Sequence, residues 1–230
     1  GCLICDPRIV NNPEPIKTIT YRELRELAYM GATVLHEDAI FPVRAAGIPV
    51  NIKNTNQPED RGTMIVSESA EHCDHIITGI AGKKGMSVIN IEKDKMNSEI
   101  GFGKNVLRAL EKSNVSFEHM PSGVDTMSVV IATEALAGKE TAIIDEIKSR
   151  VHPDQIYIES NLALIAVVGR GMKSARGTAA ILFSALADAR VNIKMIDQGS
   201  SELNIIIGVA EEDFEVAMKA IYNAFIKVKK

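Results

Sequence analysis

Tryptophan is absent from the 230 residues, aromatics make up 4% of them, and only three cysteines occur. So few cysteines supply no disulfide framework and suit a reducing compartment, so a cytoplasmic protein is expected. No apolar run approaches the roughly 20 residues of a membrane span. The net charge of −4 and the lack of a basic run before the last four residues argue against nucleic acid as a partner. No phosphate-binding glycine loop of the P-loop type, nucleophile–base set or metal motif is present, so no catalytic or metal-ligating residue is assigned. Cys2 and Cys5 form a CxxC without a second pair or a suitably spaced histidine. His72, Cys73, Asp74 and His75 alternate along a polar connector and are not expected to converge. His36, beside Leu35, reads as a packed or capping residue of a helix.

What the chain does have is a repeat. Residues 101–131 lie over residues 177–207 without a gap, at a constant offset of 76. Gly101/Gly177, Ala109/Ala185, Leu110/Leu186, Val115/Val191, Gly123/Gly199 and Ile131/Ile207 are identical. The stretch reads glycine–helix–strand–glycine turn–strand, so two copies of one supersecondary unit are expected, of a kind that suits small-molecule sensing. The length leaves room for one large domain or two to three small ones.

The periodicities divide the chain further. In residues 1–66, a strand stub at 3–5 precedes an Asp6-Pro-Arg8 turn, and Pro13 and Pro15 keep the next stretch non-helical. Thr20 with Glu23 three residues on has the form of a capping box, predicting a helix to about Met30. A second helix is expected over 34–46, closed by Gly47, and then strands over 49–53 and 64–66. The opening Gly1-Cys-Leu-Ile-Cys-Asp enters as if in mid-strand, as expected of a fragment, with a processed natural subunit as the alternative.

After the polar residues 67–74, two strands are expected at 75–81 and 86–91, joined by Gly82-Lys-Lys-Gly85 as a hairpin or tight loop. Helix 104–112, strand 115–119, strand 127–132, helix 139–151 and strand 155–159 complete one βαββαβ unit. The second unit has strand 162–168, helix 178–189, strands 191–196 and 203–209, and helix 213–225. It lacks a fourth strand, while 75–81 is left without a role. Supplying one with the other avoids an unpaired sheet edge, so the first unit (86–160) is expected to be inserted within the second (75–82 plus 161–230). The fold class is α+β, with ferredoxin-like antiparallel sheets carrying helices on one face.

The glycine turns carry the chemistry. Gly101-Phe102-Gly103 and Gly177-Thr178 open helices, whose free amides and positive dipole end favour a carboxylate. The turns at 121–125 and 198–202 lie across from them, and Asp125 is placed to hold an ammonium. A carboxylate site facing an ammonium site is what a free amino acid needs. The plainer alternative is that the glycines only shape turns and Asp125 is solvated. Asp6-Pro-Arg8 is either a nucleotide contact, Arg8 to phosphate and Asp6 to ribose, or an ordinary loop.

Several strings together resemble the carboxy-terminal part of the aspartokinases: Asp6-Pro-Arg-Ile-Val10, Tyr21 to Gly31 followed by Ala32-Thr-Val-Leu-His36, Ile48-Pro-Val50, and Arg61-Gly-Thr-Met-Ile65. Further on are Gly101-Phe-Gly103, Glu118-His-Met-Pro-Ser-Gly-Val-Asp125, Val168-Gly-Arg-Gly-Met172 and the run from Asn192 to Ile205. The resemblance covers nearly the whole chain. It implies a remnant of the α/β amino-acid-kinase domain (residues 1–66) followed by tandem interleaved ACT domains. It also implies a parent enzyme that phosphorylates the side-chain carboxylate of aspartate with ATP and Mg. This chain lacks the family's catalytic lobe, so it is expected to be inactive alone and to require no cofactor.

By position, Asp6 and Arg8 match the family's nucleotide contacts, although Cys5 stands where threonine is usual. The resemblance places a feedback amino acid between ACT units of a homodimer. The corresponding shell is Met96, Gly101, Phe102, Gly103, Ser116, Phe117, Glu118, Ser122, Gly123, Val124 and Asp125. Lysine is the favoured effector, because Glu118 falls where an acidic residue meets its ε-ammonium, and threonine or methionine are the alternatives. Glu99 and Gly123-Val124 depart from the lysine-sensing pattern, and the second repeat has Lys194 in place of Glu118. The second unit is therefore expected to pack in the dimer or to sense another ligand. A dimerisation module without any ligand is the other reading.

Overall fold

The computed structural model of the chain describes residues 1–32, 37–68 and 75–227. His36, His72, Cys73, Asp74 and the start of the second expected helix lie outside the described residues. Two compact units are present: a split unit, Gly1–Lys83 with Leu164–Lys230, and an inserted unit, Lys84–Ala163. Among the described residues, no helix is long and apolar enough to cross a membrane.

The split unit begins with β1 (Thr18–Thr20), α1 (Tyr21–Tyr29), α2 (Glu37–Ala45), β2 (Val50–Ile52) and β3 (Thr63–Val66). β3 is central in a small sheet, parallel to β1 and antiparallel to β2. Ile19 and Ile65 are fully buried there. The stub near Leu3 is reduced to a single bridge with Pro15, because the proline cannot extend a ladder. The capping box forms as expected: Thr20 Oγ1 accepts from the Glu23 N–H, and the Thr20 N–H donates to the Glu23 carboxylate at 2.9 Å.

β4 (Gly79–Glu92) is one unbroken strand, so the hairpin expected at Gly82-Lys-Lys-Gly85 is corrected. Gly82 is there for close packing and not for a turn. A Cβ on it would lie 2.6 Å from the Phe214 ring and 2.7 Å from the Leu164 carbonyl oxygen. The expected strands at 155–159 and 162–168 likewise merge into β6 (Gln155–Val168), with Asn161 at a positive φ of 62°. In the split unit the first part of β4 lies beside the last part of β6, and the Thr78 N–H donates to the Val168 carbonyl at 2.7 Å. Next come β8 (Asn204–Ala210) and β7 (Ile193–Asp197). α6 (Thr178–Asp188) packs against α7 (Phe214–Lys227). The strand before the first repeat thus closes the sheet of the second, and the interleaved ferredoxin-like topology follows.

The inserted unit holds β5 (Thr126–Ala132), the rest of β4 and the first part of β6, in that order. Met86 to Glu92 pair antiparallel with Ala132 to Thr126. α3 (Phe102–Lys112), the short α4 (Thr133–Leu136) and α5 (Glu140–Val151) complete it, with α3 packed on α5. Phe102, Val106, Ala109 and Leu110 recur at helical spacing and enter one core with Ile89, Ile91, Val129, Ile131, Ile143 and Ile147. The strand expected at 115–119 does not form. Residues 116–122 run irregularly along β5, with bridges His119–Val130 and Ser122–Met127. Pro121, without an N–H, cannot donate to a ladder there.

Glu23 is fully buried, at 0% exposure. Its carboxylate accepts from the Thr78 hydroxyl (2.6 Å), the Arg170 N–H (2.8 Å) and the Arg170 guanidinium (2.7 Å). Gly169 and Gly171 flank Arg170, and their α-carbons press on the backbone of Ile76 to Thr78, where no Cβ fits. Burial pushes the Glu23 pKa up, but the Thr78, Arg170 and Thr20 donors and the Arg170 charge outweigh it and hold the carboxyl below its ordinary value of 4.5.

Two outcomes are expected. Gly82→Ala lowers stability by about 1–3 kcal/mol in denaturant melts, because the β4 backbone must move off Phe214 and Leu164. Glu23→Gln costs about 3 kcal/mol at neutral pH, since it leaves Arg170 without its counter-charge. A depressed carboxyl pKa stabilises above the ordinary glutamate range and ceases to do so as pH falls through the folded value. The gap between wild type and Glu23→Gln should therefore narrow from pH 5 to pH 3 in the same melts.

Candidate functional site

Both repeats start their helix in the same way. Gly101 precedes α3 at φ 85°, ψ 8°, and Gly177 precedes α6 at φ 86°, ψ 4°. This left-handed conformation is costly for any residue with a Cβ, and open space surrounds both α-carbons. Neither helix has a side-chain cap, so its first amides are not covered by a local side chain.

In the inserted unit, a 3₁₀ turn at Met96–Ser98 leads to Gly101. It is clasped to the turn before β5. The Lys93 N–H donates to the Asp125 carbonyl (2.9 Å), the Asn97 N–H to the Val124 carbonyl (3.1 Å) and the Lys95 N–H to Asp125 Oδ1 (2.8 Å). Met96, Gly101, Phe102, Gly103, Ser122, Gly123, Val124 and Asp125 therefore gather at one end of the unit. Within this group the side chains of Met96 and Phe102 are buried in the core, so they support the site from beneath. Asp125 holds the loop with one of its oxygens. Ile100 and Val124 stand exposed beside it.

The rest of the expected shell lies elsewhere. Phe117 borders a groove of about 440 Å³ with Lys104, Leu107, Arg108, Glu111 and Val115, along the flank of α3. The Glu118 N–H donates to the Val130 carbonyl at 2.7 Å. Ser122, by contrast, bridges Met127, four residues further along the same edge. At ~3.3 Å per residue, about 13 Å of edge separates Glu118 from the turn. Ser116, Phe117 and Glu118 thus form a second group, displaced along the edge of the same unit.

In the second repeat the equivalent place is a cavity of about 370 Å³, lined by Met172, Lys173, Ala175, Arg176, Gly177, Thr178, Gln198 and Glu202 among others. Its small Ala175 and Thr178 stand where the first repeat has Glu99 and Phe102. These charged cavity residues were not singled out from the sequence, although the cations Lys173 and Arg176 just before Gly177 were a legible signal.

Asp6 and Arg8 are engaged with each other: the Arg8 guanidinium donates to Asp6 Oδ2 at 2.7 Å and to Oδ1 at 3.1 Å. The Arg8 side-chain hydrogen bonds lead in holding the Asp6 carboxyl below its ordinary value. Cys2 and Cys5 are buried free thiols, and desolvation raises both, Cys5 to about 11. That leaves them protonated at neutral pH, which suits packing and opposes metal ligation.

The ACT domain family profile matches residues 165–225, and that of the amino acid kinase family matches residues 1–54. Aspartokinase 3 of Bacillus subtilis is 43% identical over 221 residues, covering 96% of this chain and 48% of that protein. The aspartate kinase of Clostridium acetobutylicum, described as an allosteric enzyme, superposes with a TM-score of 0.93 at 58% identity, covering 98% of this chain and 52% of that one. Aspartokinase III of Escherichia coli shares the fold at 23–24% identity. Its complex with aspartate and ADP (R-state) gives a TM-score of 0.82, and its complex with lysine and aspartate (T-state) 0.77. The chain spans about half the length of these relatives.

The glycine geometry gives a measurable contrast. Gly101→Ala and Gly177→Ala should each lose about 1 kcal/mol from backbone strain, with no clash involved. Gly103→Ala, inside the helix with its nearest neighbour Met127 Cε at 3.6 Å, should be neutral or slightly stabilising. Thermal melts of the three variants check this.

Proposed function

We propose that this chain, related to the carboxy-terminal part of the aspartokinases over nearly its whole length, is the regulatory part of an enzyme that phosphorylates L-aspartate with ATP. The chain binds a feedback amino acid, and lysine is the favoured one. What carries this reading is the clasp between the glycine-opened start of α3 and the turn at Ser122 to Asp125. It holds amides free of side-chain caps at a positive dipole end, which suits the effector's α-carboxylate.

Glu118 lies along the edge from that clasp, so the reading needs a homodimer in which one protomer supplies the glycine turn and its partner supplies Ser116, Phe117 and Glu118. Paired in this way, the Glu118 carboxylate meets an effector ε-ammonium across the interface. The effector shifts the enzyme between two states by binding one of them more tightly. The lysine-bound form of Escherichia coli aspartokinase III is a precedent for such an effector. The domain limits that accompany this reading are a kinase-domain remnant at 1–66, a first ACT domain at 86–160, and a second at 75–82 plus 161–230. Asp6 and Arg8, closed on each other, give nucleotide binding no independent support in this chain, and no ATP or Mg step is assigned to its residues.

Calorimetric titration of the chain with lysine, threonine and methionine tests the reading. Saturable heat with lysine is expected, heat with another of the three alone reassigns the effector, and no heat at millimolar concentration leaves dimerisation as the role. In the intact enzyme, Glu118→Ala should weaken lysine inhibition by about tenfold or more, as expected for loss of a charge-assisted hydrogen bond. The kinetics towards aspartate should change little. Inhibition that survives the substitution would refute the role given to Glu118.

A further inference from the structure

Between the buried Met96 and Gly101 stands Glu99, half-buried in the loop that enters the candidate effector site. Its carboxylate accepts from the Lys93 ammonium. The same ammonium donates to the Val151 carbonyl at the end of α5 (2.6 Å) and lies 5.9 Å from the centre of the Phe102 ring. Lys93 thus leaves the strand end and runs beneath the loop, and its charge cancels that of Glu99 beside the first amides of α3.

The second repeat shows that the fold does not need this pair. At the offset of 76, Lys93 becomes Gly169 and Glu99 becomes Ala175, so both charges are missing together. The glycine after them nevertheless keeps its φ to within a degree, and the helix after it starts in the same way. The glycine-opened helix start therefore does not depend on the pair, and what the pair sets is the charge presented at the first site.

We infer that Lys93 is a specificity-determining residue of the candidate effector site: by holding the Glu99 carboxylate, it withholds an anion that would otherwise attract cationic side chains, and so sets the preference between cationic and neutral amino acids. This rests on the reading of the site as an amino-acid site. A Lys93→Met substitution keeps most of the stem and removes the ammonium, freeing Glu99. Lys93→Met combined with Glu99→Gln removes both charges, and it loses the same bond to Val151, so general damage to the loop affects both variants alike.

The test is calorimetry of the full chain with lysine and with norleucine, which differ at the terminus of the side chain by the ammonium. Lys93→Met should raise the lysine-to-norleucine affinity ratio about tenfold over wild type, the scale of one charge-assisted contact. The double substitution should return the ratio to the wild-type value. A ratio unchanged within twofold in Lys93→Met, or raised equally in the double variant, overturns the inference. If wild type binds neither amino acid, the amino-acid reading of the site fails first, and this inference falls with it.

Discussion

A single carboxylate without solvent exposure joins three stretches of chain that lie far apart in sequence. Glu23 closes the capping box of α1, receives the Thr78 hydroxyl just before β4, and binds both the backbone and the guanidinium of Arg170 just after β6. A buried charge is tolerable only when its lone pairs are filled and a counter-charge is close, and every one of these donors contributes to that. The arrangement also explains the glycines on either side of Arg170. The loop must lie directly on the backbone of Ile76 to Thr78 for the Arg170 N–H to reach Glu23, and a side chain at 169 or 171 would hold it away. α1 has further ties to the same unit: Glu26 accepts from the Asn204 side chain, and Leu27 packs where a Cβ on Gly79 would be. The first helix of the chain and the sheet of the second repeat are one packed body.

The two repeats use the same backbone for different ends. Both present a left-handed glycine and a helix start without a side-chain cap. Around that shared frame the first repeat places a bulky Phe102 and an internally neutralised Glu99, and the second places small residues and three charged ones, Lys173, Arg176 and Glu202. The left-handed glycine backbone is thus common to both copies, whereas the electrostatics are particular to each. That division is what a duplicated sensing unit needs if its copies are to answer to different molecules, or if one is to lose its ligand.

Much of the fold was legible in residue patterns with local causes. The Thr20–Glu23 capping box, the helical spacing of Phe102, Val106, Ala109 and Leu110, and the glycines at both helix starts act within a few residues of themselves, so sequence spacing alone exposes them. The interleaving was also reachable, because it follows from counting strands against edges. Where the reading failed at residues 82–85, the cause was non-local. Gly82-Lys-Lys-Gly85 has turn composition, yet it continues β4, because Phe214 and Leu164 occupy the space a side chain at 82 would need. Residues 115–119 alternate as a strand should, yet of these only His119 bridges β5, and Pro121 beyond it cannot donate to a ladder.

The sequence by itself determined the repeat, the helix starts, the α+β class and the family resemblance, since each depends on short-range conformational preference or on the order of residues. Only the tertiary structure decided which of the nominated residues stand together. Gly101 and Asp125 meet because amides at 93, 95 and 97 reach the turn before β5, while Glu118 is carried about 13 Å away along an edge strand. The Lys93–Glu99 pair also belongs to the tertiary structure. Their identities were on view in the sequence, but that the Lys93 ammonium reaches both the Glu99 carboxylate and the Val151 carbonyl at the end of α5 was not.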